Sequence, residues 1–195
     1  MNDEFPQLSA PADVGGHVVL ALLNTVVDED GRTVDHLADD ATAFAWLLER
    51  GFMPEPLSSA PRALAPALRD AREMIRHAFN AMIAGHVPDV TELNGVLARG
   101  IGHWHLSTPA NKSHLDLHFD RREAGAIAAV TSLAEAAAAL LASGAAHQVK
   151  RCANPACTMM FIDATATRRR RWCDMARCGN RMKVNTFRAR TRNQS

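Results

Sequence analysis

The last quarter of the chain reads Cys152-Ala153-Asn154-Pro155-Ala156-Cys157 and, after a fifteen-residue spacer, Cys173-Asp174-Met175-Ala176-Arg177-Cys178; no other cysteine occurs in the 195 residues. Two close pairs joined by a spacer of this length can bring four thiolates onto one tetrahedral centre, and Zn²⁺ suits such a soft, closed set best. No apolar segment with a small-residue cleavage site opens the sequence, so nothing in it points to an oxidising compartment, and disulfides rank below a metal. A redox dithiol pair or an iron-sulfur cluster also ranks below one structural zinc.

Around these cysteines the charge is lopsided. Residues 150–195 hold two Lys and ten Arg against Asp163 and Asp174, a net +10, which leaves −9 on residues 1–149. A compact basic tail on an acidic body suggests a polyanion-binding module joined to a part that does not bind nucleic acid.

The tail can be built further. Residues 148–151 are expected as a strand entering the first cysteine pair and residues 159–163 as its return partner, with a helix running from Cys178 to Arg190. Hairpin, knuckle and helix in this order form a treble-clef-like finger. Four thiolates close the zinc shell, so the metal organises and does no chemistry. The working surface is then cationic. At 100° per residue Arg177, Arg181, Arg188 and Arg192 share one helical stripe, and Lys183 and Arg190 form a second. Val184 and Phe187 lie between the stripes and are expected to pack on the zinc hairpin. Arg168, Arg169, Arg170 and Arg171 add a cationic block, and Arg forks suit phosphate oxygens and guanine edges. Trp172 is expected over the knuckle, and Asn180 as the cap of a turn beside the metal.

Trp172-Cys173 and Cys178-Gly179-Asn180-Arg181, continuing through Met182-Lys183 to Phe187-Arg188-Ala189-Arg190, resemble the CGNR zinc finger family. Leu20-Ala21-Leu22-Leu23-Asn24-Thr25-Val26-Val27 resembles the start of the ABATE domain that accompanies this finger. The resemblance implies a bacterial stress-induced transcription regulator.

Helical periodicity dominates the body. Val18 to Val26 carry one apolar stripe, ended by Asp28-Glu29-Asp30-Gly31. A second helix runs from Asp39 as cap through Phe44, Trp46, Leu47 and Leu48 to Gly51. The longest begins between Ala60 and Pro66 and turns Leu68, Ala71, Ile75, Phe79 and Met82 inward, and a short one after Asp89 uses Leu93, Val96 and Leu97. The period then changes to two: Trp104 and Leu106 alternate with His103 and His105, and Leu115, Leu117 and Phe119 with His114, Asp116, His118 and Asp120. This predicts a hairpin turning at residues 109–112, with an apolar face and an exposed polar one. His103, His105, His114 and His118 mark the candidate effector pocket. An Ala-rich helix from Arg122 to Ser143 leads to a linker at residues 144–148.

The expected fold is α+β: a helix-dominated N-terminal domain with a β-hairpin (residues 1–146), followed by a small treble-clef-like zinc finger (residues 147–195). The expected function is DNA-binding transcription regulation, with Zn²⁺ as sole cofactor and a body that senses a small-molecule effector or forms a homodimer. An RNA-binding or protein-interaction zinc module is the alternative. Gly-rich phosphate loops, nucleophile elbows and His-Glu metalloprotease strings are absent from the sequence, so no enzymatic activity is expected. Asn24 and Glu135 interrupt the two longest apolar runs, so no membrane span is expected, and the location is cytoplasmic.

Overall fold

The computed structural model describes residues 17–29, 32–52, 58–107 and 116–192. Helix α1 (Val18–Leu23) buries Val18, Val19, Leu20, Leu22 and Leu23. The helix expected through Val26 stops early, because Thr25 returns its hydroxyl to the Leu22 carbonyl at 2.7 Å. Val26 instead opens strand β1 (Val26–Glu29), antiparallel to β2 (Arg32–Asp35). This hairpin escaped the periodicity because its strands have four residues each. Asp30 and Gly31, at the end of the expected helix stop, lie outside the described residues.

Helix α2 (Asp40–Glu49) begins at Asp39, which exchanges hydrogen bonds with Thr42 in a capping box. It ends where Gly51 adopts φ +60°, a left-handed conformation that costs glycine little. There the Gly51 and Phe52 N–H groups donate to Leu48 and Leu47 at 3.0 Å, the Schellman pattern. Trp46 and Leu47 are buried as expected, whereas Leu48 is exposed. Helix α3 (Leu64–Ile83) holds Pro66 in its first turn, where no N–H is needed. Asp40 of α2 accepts from the Ala63 and Ala65 N–H groups at 2.9 and 2.8 Å, so one helix caps the next. Helix α4 (Thr91–Leu97) buries only Leu93.

Strands β3 (Gly102–Ser107) and β4 (Asp116–Arg121) form the expected hairpin and pair Trp104 with Phe119 and Leu106 with Leu117. The expected turn residues and His114 lie outside the described residues. On the apolar side Trp104 is 53% and Leu106 62% exposed, so these two side chains stand off the core. Helix α5 (Gly125–Ala142) closes the body against α3, α4 and α1. By length and mean hydropathy, 1.7 over 18 residues, α5 is apolar enough to cross a membrane, although none was expected. Its apolar character is used in the core, through Ala129, Leu133, Ala136, Ala137 and Leu140.

Leu68, Ile75 and Phe79 of α3 meet the α5 set in the same core, each burial contributing about 1.5–3 kcal/mol. Two arginines, Arg72 buried and Arg121 half-buried, organise its edges. Arg72 grips both oxygens of Asp35 at 2.7 and 2.8 Å and donates to Thr25 at 2.8 Å, tying α3 to the β1–β2 hairpin. Arg121 joins Glu123 and Glu135, fastening the β3–β4 hairpin to α5. Burial opposes ionisation of Glu123, yet its own backbone N–H, Arg121, the Ile101 N–H and Thr131 bring its pKa down to about 2. A carboxylate held low in the folded state stabilises above its ordinary value near 4.5 and loses that effect as pH falls towards about 2. Melting midpoints should therefore drop more steeply over this interval in the wild type than in Glu123→Gln. Equal slopes would remove Glu123 as a source of acid sensitivity.

After the 3₁₀ turn Gly144–Gln148 come β5 (Val149–Arg151) and β6 (Met160–Ile162), an antiparallel pair. Val149 and Met160 belong to the same apolar core as α1, α3 and α5.

Candidate metal centre

The first cysteine pair sits between β5 and β6. Cys152 donates its N–H to the Met159 carbonyl at 2.9 Å, and Cys157 donates to Asn154 at 2.9 Å, forming the knuckle. Cys173 follows the arginine block. Cys178 lies in a π-helical turn (Met175–Gly179) that continues into helix α6 (Asn180–Arg192). Asp174 caps that turn by accepting from the Arg177 N–H at 2.7 Å. The capping role expected of Asn180 thus falls to Asp174, while Asn180 is the exposed first residue of α6.

The four sulfurs lie within 4.8 Å of one another. Cys173 Sγ is 3.7 Å from both Cys157 Sγ and Cys178 Sγ. A tetrahedron with Zn–S bonds of about 2.3 Å has edges of about 3.8 Å, so the spacing matches a zinc ion. Burial pushes the Cys157 thiol up to about 11, with Cys178 and Cys152 adding to the rise and Met159 and Cys173 opposing it, and burial with the neighbouring cysteines raises Cys173 further. Cys152 moves the other way: burial opposes its ionisation, but hydrogen bonds from the Cys173 and Asn154 backbone favour the thiolate. Four thiolates this close repel one another, and a dication removes that penalty. The residues therefore fit one structural Zn²⁺ held by Cys152, Cys157, Cys173 and Cys178. When bound, it supplies a closed, redox-inert crosslink.

A second layer supports the ligands. Asn154, 3% exposed, turns its amide N–H to Cys178 Sγ at 3.5 Å and accepts from the Ala156 N–H at 3.2 Å. Its position inside the first knuckle was the only sequence signal for this role. Asp163 is fully buried and accepts from Lys150 Nζ at 2.7 Å, from Thr165, and from the Arg170 N–H at 2.9 Å. Lys150 and then Thr165 hold its carboxyl well below the usual carboxylate range.

Arg170 departs from the expected phosphate-contacting set. Its guanidinium lies 4.6 Å from the Phe161 ring centroid and donates to the carbonyls of Trp172 and Cys173. It braces the loop carrying Cys173. Arg168, Arg169, Arg171, Arg177, Arg181 and Lys183 are exposed. Arg188, Arg190 and Arg192 take positions along the backbone of α6. Val184 is 47% exposed, so the apolar ridge expected to dock on the zinc hairpin does not do so there. Trp172 is half-buried beside Gly179, where an added Cβ would run into Met175 Sδ and approach Trp172 within 3.2 Å.

Asn24 joins the finger to the body. Its side-chain amide donates to the Met160 carbonyl and accepts from the Met160 N–H, both at 2.8 Å, pairing with β6 as a strand residue would. Thr158 adds a hydrogen bond to the Val26 carbonyl at 2.9 Å. Thr25 acts locally at the end of α1, whereas Asn24 reaches 136 residues along the chain. Between the two parts lies an open cleft of about 1010 Å³, bordered by Asp35, Trp46, Glu49, Met159 and Arg177. Of the four hairpin histidines, His114 lies outside the described residues and only His103 has a described side chain. His103 Nε2 lies 3.7 Å from Asp120, His105 and His118 are cross-strand neighbours, and the cysteines form the one potential metal cluster among the described residues.

Fold and site together define a zinc-finger protein whose finger is built into a helix-rich body. Residues 16–144 match the ABATE family, described as "Putative stress-induced transcription regulator", and residues 148–191 match the CGNR zinc finger. The chain belongs to the ABATE family and carries a CGNR finger at its C-terminal end. None of the curated proteins matches it.

Proposed function

We propose that this protein is a cytoplasmic, non-enzymatic transcription regulator that binds duplex DNA through its zinc finger. The observation that carries the reading is the concentration of exposed cations on a metal-built module: +10 on residues 150–195 against −9 on the remainder. Arg177 and Arg181 stand beside the zinc turn, close to the last ligand, so metal loading sets their positions. Phosphate contacts fix register on DNA, and arginine forks are suited to both phosphates and guanine edges.

The body supplies regulation, by binding a small effector or by pairing with a second copy. The cleft bordered by Trp46, Asp35 and Arg177 is a better effector site than the histidine hairpin, because it lies where body meets finger. A ligand there could shift the finger directly.

Neutralising about five phosphates would give a log–log salt slope near −4.5 for binding of the zinc-loaded protein to duplex DNA. Arg181→Ala with Arg188→Ala should weaken binding and leave zinc content intact. Absent or salt-independent binding would overturn the reading, and preference for unpaired RNA would replace it with RNA recognition.

A further inference from the structure

We infer that the DNA backbone is held chiefly by a second cationic surface, a groove built by Arg151 of β5 together with Arg168, Arg169 and Arg171, an inference that rests on the DNA-binding reading above. With Lys150 and Ile83 at the end of α3, these residues line an open groove of about 680 Å³. None of them borders the cavities beside Arg177 and Arg181. The finger thus presents two cationic surfaces, and the block reading of Arg168 to Arg171 did not include Arg151.

Three features give this groove the character of a built anion site. First, its guanidiniums lack counter-charge. The finger's carboxylates are both committed elsewhere, Asp163 to Lys150 and the Arg170 N–H, and Asp174 to the cap of the π turn. Among the described residues, no carboxylate pairs with Arg151, Arg168, Arg169 or Arg171. Like charges gathered without a carboxylate beside them repel, and phosphates relieve that repulsion. Second, the loop is held rigidly. Arg170 turns inward onto Phe161, while the Arg171 carbonyl accepts from the Ala153 N–H at 2.8 Å and the Arg168 carbonyl accepts from Lys150. Arg168 itself takes a left-handed conformation at φ +49°. With Arg170 fixed inward, Arg169 and Arg171 on either side are exposed. Third, the body contributes a wall through Ile83, so the groove exists only while the finger is docked.

A backbone-holding surface has a distinctive signature: it lowers affinity for every sequence alike and flattens the salt dependence. Anisotropy titrations of the full-length, zinc-loaded protein against two unrelated duplexes of about 20 base pairs read both quantities. The triple variant R151A/R169A/R171A should bind both duplexes on the order of 100-fold more weakly near 0.1 M salt, with a slope shallower by about 2.7. Its zinc content should not change. The corresponding triple lysine variant should recover most of the slope, because charge is kept. Arg169→Glu, a single change at an exposed position, should shift affinity and slope in the same direction and does not depend on the triple variant folding. If wild type binds DNA but these variants bind with unaltered slope, or lose affinity for only one duplex, the groove is not the backbone site and the regulator reading survives. Failure of wild type to bind any duplex at low salt would overturn both.

Discussion

Replacing Cys178 with Ser should release the zinc and unfold the chain from β5 to the end of α6. The finger contributes few fully buried side chains of its own, chiefly Val149, Met160 and Phe161. Metal binding in small all-cysteine sites provides roughly 10 kcal/mol or more of folding free energy, far above what three such residues supply. Serine has neither the softness nor the acidity to replace the thiolate, and the Asn154 amide would lose its sulfur acceptor. The loss should extend into the body, since Val149 and Met160 belong to its core. Metal analysis should fall from one zinc per chain to none, and the body's melting midpoint should drop with it. A variant that kept one zinc and an unchanged midpoint would refute the four-thiolate site.

Asn24→Ala should give the next largest effect, separating the finger from the body without touching the metal. The Met160 N–H and carbonyl would both lose their partner, and the Met160 residue is 1% exposed. An unsatisfied buried backbone group costs about 1–3 kcal/mol, so the double loss costs on the order of 2–6 kcal/mol. Zinc stoichiometry should remain one, while proteolysis within Gly144–Gln148 accelerates as docking weakens. Unchanged stability together with unchanged cleavage would show that the amide clamp is incidental.

The metal site was legible because ligand identity and spacing are local properties: two short pairs on a hairpin and a helix start leave few ways to close a tetrahedron. The α2 cap and stop, the alternation of β3 and β4, and the α3 core stripe were legible for the same reason. Other features needed partners distant in sequence. Val26 is a strand residue because Thr25 folds back on Leu22 and Arg72 fixes Asp35. Arg170 reads as a phosphate ligand in a run of four arginines, yet Phe161 and the carbonyls beside Cys173 draw it inward.

The sequence by itself therefore determined a helix-rich body, an all-cysteine zinc finger and the polarity between an acidic and a basic part, since these follow from periodicity, ligand chemistry and charge along the chain. Only the tertiary structure decided that finger and body share one core, that Asn24 locks them together, and that Arg151 joins the arginine loop in one groove. Those outcomes depend on backbone groups and charges brought together from distant positions, and no local pattern encodes which pairs will meet.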